Sequence, residues 1–532
     1  MAAVVAMAAL VLCYLIYAAW LSPSAARRRL RRAGFDGPRP SFPLGNLPEI
    51  TATTTLSANS SSKDKEADMH AAVFPYFARW RRSFGKVFVY WLGTEPFLYV
   101  ADPGFLKAAT AGALGKRWGK PDVFRRDRMP MFGRGLVMAE GHDWARHRNI
   151  IAPAFSATNL AGMVAVMQRS TAGMLDRWAA HGGGVIDVEE GVVRNAAEII
   201  ARASFGIGDE GDHGERVFQK LQAMQAMLFT SNRLVGVPMA RLLHLRRTYE
   251  AWKLGREIDA LLMDIIDQKR RRGSAAESPS SNSSNSKDLL SLLLSSTGSG
   301  ALTTRELVDE CKTFFFGGHE TTALALSWTL LKLAEHPEWQ DALREEVMLE
   351  LGEEDGDAGQ LDAGALGRLT KMGWVMSEVL RLYPPSPNVQ RQALEDVDVV
   401  VPASPEKQQQ QQTMMTIPRG TNMWVDVVAM HRDPALWGDD AHQFRPERFA
   451  RDSVQGGCRQ RMGFVPFGFG GRICVGRNLT AMEYRVVLAM VLRRFRLSVA
   501  PQYQHKPRVM LSLRPSAGIQ LHLTPLSDPT SI

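Results

Sequence analysis

One cysteine, Cys474, lies in a segment whose residue types suit a bond between sulfur and a metal. The segment reads Pro466-Phe467-Gly468-Phe469-Gly470-Gly471-Arg472-Ile473-Cys474-Val475-Gly476. Glycines allow a tight turn and a close approach of the backbone, and backbone N–H groups directed at a metal-bound sulfur tune the metal's potential. A buried cysteine in a glycine-rich turn is the alternative interpretation. The pattern favours a metal-bound thiolate.

The same string resembles the haem-binding signature of the cytochrome P450 family, F-x-x-G-x-R-x-C-x-G, at every fixed position from Phe467 to Gly476. In this family a cysteine thiolate holds the iron of haem b, iron protoporphyrin IX, and donates electron density that favours O–O cleavage. The resemblance implies that Cys474 is the iron ligand. It also implies that Phe467, Arg472 and Gly476 contact the cofactor, with Arg472 facing a haem propionate.

A second segment, Gly317-Gly318-His319-Glu320-Thr321-Thr322, resembles the oxygen-activation segment of the same family. Its two glycines would keep the backbone thin where dioxygen has to fit above the iron. Glu320 and Thr321 would then be the catalytic acid and hydroxyl of a proton relay, because splitting O–O to leave water requires two protons. Taken without the cysteine motif, Thr321 could equally bond back to a carbonyl of its own helix.

Glu378 and Arg381 stand three residues apart on a predicted helix, which places them on one face as an ion pair. An isolated pair at this spacing is usually a solvated helix face. The resemblance implies instead that they join Arg448, in Pro446-Glu447-Arg448-Phe449, to form a buried polar lock. Its expected role is structural and not catalytic.

The resemblance also implies two further sets of residues. Those expected to hold the haem propionates, together with Arg472, are Trp144, Arg148 and Arg391. Those expected to line the substrate pocket are Phe124, Met129, Phe229, Phe314, Gly317, Pro387, Val389 and Met510. The pocket set is mostly apolar, so the substrate should be a largely apolar molecule with few anchoring groups. A Phe or Met at any of these positions could equally be plain core.

The oxygen-activation segment falls in the clearest helical pattern of the chain. Thr303 and Glu306 form a predicted capping box, and His336-Pro337 ends the apolar pattern about 30 residues later. Strand patterns occur at 87–91, 98–100 and 397–401. The expected fold is therefore mainly α with a small β portion, the cytochrome P450 fold, in which a long central helix crosses over the haem.

The N-terminus is predicted to be a membrane anchor. Residues 1–21 carry no charge and are long enough as a helix to cross the hydrocarbon core, and five arginines follow between Arg27 and Arg32. The positive flank predicts a lumenal N-terminus and a cytosolic body, and the lack of a basic leader argues against a cleaved signal peptide. The expected domains are the anchor (1–21), a basic flank with a proline-rich hinge (22–48) and the catalytic domain (49–532).

Composition and net charge exclude further classes of protein. The chain has 532 residues, a formal net charge of +9 and four cysteines without a C-x-x-C pair, which excludes a disulfide framework. The net charge is positive, but the sequence contains no nucleic-acid-binding module, so nucleic acid is not an expected partner. Three polar stretches, 51–66, 273–286 and Gln408 to Gln412, are predicted to be surface loops.

The expected protein is a single-pass haem-thiolate monooxygenase of the endoplasmic reticulum membrane with its body on the cytosolic face. No flavin or dinucleotide motif is present, so its electrons should come from NADPH-cytochrome P450 reductase. The reductase would lie on the same lipid membrane, and the basic body of this protein would attract it. The segments at 314–322 and 85–91 resemble plant microsomal enzymes that act on fatty acids, cytokinins, gibberellins and brassinosteroids. The expected substrate is a fatty acid or related lipid, and a plant hormone is the alternative. A reductase-independent, hydroperoxide-rearranging P450 and a haem sensor remain open as other classes.

Overall fold

The computed structural model of the chain describes residues 1–59, 68–182, 184–206, 213–229, 234–275, 288–295, 301–352, 361–401 and 413–526. The first helix, α1 (Ala2–Ile16), continues through a π-helical turn (Tyr17–Leu21) into α2 (Ser22–Arg32). The remaining α-helices are α3 Leu47–Asn59, α4 Met69–Val73, α5 Pro75–Phe84, α6 Pro103–Thr110, α7 Asp122–Phe132, α8 Gly141–Ile151, α9 Ala157–Ala161, α10 Val164–Ala179, α11 Val188–Phe205, α12 His213–Phe229, α13 Ala240–Leu243, α14 Leu245–Ala275, α15 Leu289–Leu294, α16 Thr304–Glu335, α17 Pro337–Leu351, α18 Ala363–Arg368, α19 Thr370–Leu382, α20 Val427–His431, α21 Pro434–Trp437 and α22 Arg477–Arg494.

The strands are short and lie in four sheets. They are β1 Val87–Leu92, β2 Glu95–Val100, β3 Trp118–Gly119, β4 Val185–Asp187, β5 Asn388–Ala393, β6 Val397–Val401, β7 Thr413–Ile417, β8 Asn422–Asp426, β9 Phe495–Val499, β10 Pro507–Val509, β11 Leu513–Pro515 and β12 Gln520–Pro525. The largest sheet has the order β1-β2-β8-β5-β3, and the others are β4-β12-β9, β6-β7 and β10-β11. The expectation of a mainly α fold with a small β portion is confirmed.

The central helix α16 begins and ends where the sequence predicts. The Thr303 side chain accepts the N–H of Glu306, the Glu306 side chain accepts the N–H of Thr303, and His336 ends the helix. Most of α16 is buried, and it packs along α11, where the rings of Phe315 and Phe205 are stacked with centroids 4.8 Å apart. The burial of its side chains shows that α16 runs through the core of the protein.

The N-terminal helix is long and apolar enough to cross a membrane, and it is the one such straight helix in the described parts of the chain. Its large apolar side chains, such as Val4 and Leu10, are exposed to the surroundings. Helical structure persists through the arginine run to Arg32, beyond the span predicted at 1–21. The helix contacts the body at its end, where Leu30 is buried and Arg29 pairs with Asp396 at 2.5 Å.

The prediction that the three polar stretches are surface loops is wrong for parts of two of them. Residues 51–59 belong to α3, and three of its threonines donate their hydroxyls to carbonyls four residues earlier, as Thr53 does to Glu49 at 2.7 Å. These bonds satisfy the hydroxyls within the helix, so a threonine run is no obstacle to it. Residues 273–275 close α14. Residues 60–66, 276–286 and Gln408 to Gln412 lie outside the described residues.

Candidate active site

The glycine-rich segment folds into a tight turn around the sulfur of Cys474. Gly468 (φ +77°) and Gly470 (φ +67°) adopt left-handed backbone conformations that other residues rarely reach. The Cys474 N–H donates to the carbonyl of Phe467 at 2.9 Å, which closes the turn. The geometry explains why glycine, and no larger residue, occupies these two positions.

Cys474 is a free cysteine exposed to solvent. Burial raises the pKa of the Cys474 thiol, while the backbone N–H groups of Gly476 and Arg477 and the charge of Arg148 oppose that shift. Donors and cations directed at sulfur are what a metal-bound thiolate requires. Arg148 also donates to the carbonyl of Ile473 at 2.9 Å, so its charge is held beside the sulfur.

Two predicted propionate residues, Arg472 and Arg391, lie against aromatic rings near this turn. The Arg472 guanidinium is 4.7 Å from the centroid of Trp144, and that of Arg391 is 5.3 Å from the centroid of Phe469. Burial and the nearby charge of Arg472 lower the pKa of Arg391 to about 10. A buried arginine with a neighbouring like charge is stabilised by a carboxylate, which haem supplies twice.

Sequence reasoning missed two members of this cluster, Lys120 and Glu140. Burial, Arg391 and Arg472 together lower the pKa of Lys120 well below its usual value. Glu140 accepts the Lys120 backbone N–H and pairs with Arg472, each at 2.5 Å. No spacing rule links residues 120 and 140 to a motif at 466–476, so a single sequence offers no signal for them.

The residues at the turn fit a haem. The thiol has backbone donors, and the two guanidinium groups of Arg391 and Arg472 outnumber the single carboxylate beside them, Glu140. When bound, haem supplies the iron at which dioxygen is reduced and activated. Cys474 would hold its iron, and Arg391, Arg472 and Trp144 would hold its propionates.

The two glycines of α16 have different tasks. A methyl carbon built on Gly317 would meet no atom outside its own helix within 4 Å in the described part of the chain, so the helix surface is open there. A methyl carbon built on Gly318 would lie 2.5 Å from the side chain of Ile200 on α11. Gly317 therefore borders open space, whereas Gly318 is required by the packing of α16 on α11.

The expected relay residues, Glu320 and Thr321, are each engaged by other groups. The Thr321 hydroxyl donates to the carbonyl of Gly317 at 2.9 Å, as the alternative interpretation predicted. Glu320 is buried and accepts hydrogen bonds from Gln225 on α12 and from Ser512, both at 2.6 Å. These bonds hold the carboxylate toward α12 and the segment between β10 and β11, so proton transfer from Glu320 requires a side-chain movement.

Glu378, Arg381 and Arg448 are brought together as the resemblance implied. The Arg381 guanidinium donates twice to the Glu378 carboxylate, at 2.7 and 2.8 Å, and both side chains are fully buried. Arg448 Nε lies 3.5 Å from Glu378, and its other nitrogens bind Asp440 and the carbonyl of Trp437. The group joins α19 to the 3-10 turn at Pro446–Phe449.

Residues predicted to line the substrate pocket are brought together only in part. Phe124 and Phe229 both lie against the Arg128 guanidinium. The remaining members occupy separate elements: Met129 on α7, Phe314 and Gly317 on α16, Pro387 before β5, Val389 on β5 and Met510 between β10 and β11. Phe314 also packs on Phe155 at 6.0 Å between ring centroids, which is a core contact.

A buried histidine between Trp144 and Arg148 ties α8 to α16. His147 Nδ1 lies 2.6 Å from Glu310, and its Nε2 lies 3.3 Å from Glu306, which also pairs with Arg146. Burial lowers the pKa of His147, but the hydrogen bonds and charges of Glu310 and Glu306 outweigh it and raise the pKa overall. The pair therefore anchors the helix that carries two of the haem-binding candidates.

We expect this anchor to weaken as pH rises. A raised folded-state pKa means that His147 contributes its stability fully below the unfolded value of about 6.5 and loses it as pH rises through the folded value. The difference in melting temperature between wild type and His147→Gln should therefore shrink between pH 6 and pH 9. His336→Gln, which removes a surface histidine beside Glu338, is the control and should show a smaller pH-dependent difference. A constant difference for both variants would contradict the assignment.

Comparisons with known proteins agree with this geometry. The cytochrome P450 family model matches residues 65–523. Cytochrome P450 714C2 of Oryza sativa subsp. japonica is 33% identical over 96% of each chain. A cytokinin hydroxylase of Arabidopsis thaliana is 33% identical over 95% of this chain and 94% of its own, and cytochrome P450 734A1 of Arabidopsis thaliana is 32% identical over 96% and 94%. The chain therefore belongs to the cytochrome P450 family, and it is a haem-thiolate monooxygenase.

Proposed function

We propose that the protein inserts one oxygen atom of O2 into a C–H bond of a largely apolar substrate, a fatty acid or related lipid, with electrons from NADPH-cytochrome P450 reductase. The observation that carries the proposal is the open space beside Gly317 on α16, together with the exposed Cys474 of the thiolate turn. The aromatic side chains of Phe124 and Phe229 would supply apolar walls. Hydroxylation of a cytokinin is the second candidate, favoured by the 33% identity to a cytokinin hydroxylase.

We further propose that the protein resides in the endoplasmic reticulum membrane. The exposed apolar surface of α1 fits the bilayer, and the arginines of α2 would stay on the cytosolic side. The catalytic body would then face the cytosol, where NADPH and the reductase meet it. Its net charge of +9 suits an acidic redox partner.

In the proposed reaction, Glu320 and Thr321 bring protons to the open face. The Glu320 carboxylate accepts hydrogen bonds from Gln225 and Ser512. It would first have to exchange these bonds for a hydrogen bond with water or with Thr321. Thr321 would exchange its bond with the Gly317 carbonyl for an acceptor on the open side. A hydroxyl that can alternate between two acceptors suits a proton relay.

Turnover of the full-length protein in lipid nanodiscs with reductase and NADPH tests this proposal. We expect a hydroxylated product from a fatty acid, and we expect Thr321→Val to lower product formed per NADPH by at least about tenfold. Thr322→Val is the matched control: its hydroxyl faces Thr480 at 3.1 Å, so coupling should change little. If an adenine-type cytokinin is hydroxylated and a fatty acid is not, cytokinin hydroxylation replaces fatty-acid hydroxylation as the proposed function. Conversion of a lipid hydroperoxide without NADPH would refute both.

A further inference from the structure

Glu140 stands where three segments that carry haem-binding candidates meet. It immediately precedes α8, the helix that carries Trp144. One oxygen of its carboxylate accepts the backbone N–H of Lys120, just after β3, at 2.5 Å, and the other accepts a hydrogen bond from Arg472 of the thiolate turn, also at 2.5 Å. Strand β3 pairs with β5, the strand of Arg391. A single carboxylate therefore ties the three segments together.

Three contacts fix the direction of the Arg472 guanidinium. Its carbon lies over the ring of Trp144, 4.7 Å from the centroid. One of its terminal nitrogens donates to the carbonyl of Ala139 at 3.0 Å, and the other donates to the carboxylate of Glu140. A guanidinium has five N–H donors, so these two bonds leave donors for a further anion. The short stretch of chain before α8 thus sets where the remaining donors of Arg472 point.

The surroundings of the Glu140 side chain leave it little freedom. The side chain is largely buried. A methyl carbon built on Gly119 would lie 3.0 Å from the carboxylate oxygen that binds Arg472, which is closer than an ordinary van der Waals contact. The carboxylate therefore fits against β3 because residue 119 has no side chain. Burial raises the pKa of Glu140, while Arg472 and the Lys120 N–H act in the opposite direction.

Glu140 also changes the charge balance beside the thiolate turn. Arg391 and Arg472 supply two positive charges there, and an ionised Glu140 supplies one negative charge. Two haem propionates would give this set a net charge of −1 with Glu140, and no net charge without it. A negative charge disfavours the gain of an electron by a nearby iron, because ferrous haem carries one more negative charge than ferric haem.

We infer that Glu140 is a positioning residue for the cofactor: it holds Arg472 in the orientation that receives a haem propionate, and its charge keeps the reduction potential of the iron low. Glu140 touches no reacting atom in this assignment and acts through Arg472. The inference concerns the cofactor, so it holds for any class of substrate.

Glu140→Gln and Glu140→Ala separate the two parts of the inference. The full-length holoprotein is studied at pH 8, by spectroelectrochemistry for the reduction equilibrium and by haem transfer to apomyoglobin for the dissociation rate. Glu140→Gln keeps an acceptor oxygen and loses the charge. We expect it to shift the reduction equilibrium about threefold or more toward ferrous haem, with dissociation within about twofold of wild type. Glu140→Ala also loses the acceptor, so haem should in addition dissociate about fivefold or more faster.

Gly119→Ala displaces the carboxylate without removing its charge. It should speed haem dissociation and shift the reduction equilibrium less than Glu140→Gln does. The resonance Raman band of propionate bending, which reports hydrogen bonds to the propionates, should move in Gly119→Ala and in Glu140→Ala. Glu346→Gln is the matched control, because Glu346 likewise accepts backbone N–H groups, those of Lys371 and Met372 at 2.6 and 2.9 Å, but ties α17 to α19. It should change none of the three measurements.

Three results would overturn the inference. Slower haem dissociation in Glu140→Ala would show that the carboxylate competes with the propionate for Arg472. An unshifted reduction equilibrium in Glu140→Gln would show that the charge does not act on the iron. Faster dissociation with an unmoved propionate band would assign Glu140 to the general stability of the fold. Should Glu140→Ala fail to fold, the propionate band of Gly119→Ala and the reduction equilibrium of Glu140→Gln decide in the same way. A failure of the proposed function is distinct, because the wild-type protein would then hold haem yet hydroxylate no fatty acid with NADPH.

Discussion

Cys474→Ser should abolish the red-shifted Soret band that the reduced wild-type protein gives under carbon monoxide, and NADPH-dependent turnover with it. The band would require a thiolate ligand to the haem iron, and a serine hydroxyl at this turn cannot replace the electron donation of sulfur. The backbone should persist, because the Cys474 N–H bond to Phe467 and the left-handed glycines do not involve the side chain. Far-ultraviolet circular dichroism close to that of wild type would show this.

Cys458→Ser is the matched control for that experiment. Cys458 is buried only sixteen residues earlier, and its sulfur donates to the carbonyl of Gln460 at 3.3 Å, away from the thiolate turn. This variant should keep the red-shifted band. If Cys474→Ser kept the band, or if Cys458→Ser lost it, the iron ligand would have been assigned to the wrong cysteine. Cys311 is a poorer control because it is buried in α16 itself.

The parts of the molecule that follow from the sequence are those in which the partners are close along the chain. The two residues of the α16 capping box are three positions apart, as are Glu378 and Arg381, and the thiolate turn is one contiguous string. Local geometry decides such contacts, so spacing predicts them. The resemblance to the family then adds Arg448, which no spacing rule could have paired with Glu378.

The parts that escaped prediction depend on contacts between distant segments. Glu320 binds a residue 95 positions earlier and another 192 positions later, and His147 meets Glu310 across 163 positions. Residue types alone do not show which buried carboxylate will face which helix. Gly318 illustrates the same limit: its type suggested the dioxygen site, whereas its neighbour across the helix interface, Ile200, determines its role.

The Glu320 contacts connect the proposed proton donor to the proposed substrate wall. Gln225, which holds Glu320, lies on α12 one turn before Phe229, which holds Arg128. A substrate that moves Phe229 would therefore also act on the helix that retains the carboxylate.

Glu378→Ala should destabilise the protein by ~3–5 kcal/mol, because it leaves the Arg381 guanidinium buried without its carboxylate. Arg381 is fully buried, so water cannot replace the lost partner. The backbone N–H of Arg445, which donates to Glu378 at 2.8 Å, would also lose its acceptor. Urea unfolding, followed by circular dichroism and by haem release, measures the change.

A second variant separates the cost of an unpaired charge from the cost of lost packing. In Glu378→Met with Arg381→Met, no charge of the pair remains, so the double variant should be far less destabilised than the sum of the two single variants. It should still be less stable than wild type, because Arg381 also donates to the carbonyls of His431, Ala441 and Gln443. Glu250→Ala, which breaks an exposed ion pair with Arg246 one helical turn earlier, should leave the unfolding midpoint unchanged. Additive losses at Glu378 and Arg381, or an equal loss at Glu250, would show that the buried lock contributes no more than a surface ion pair.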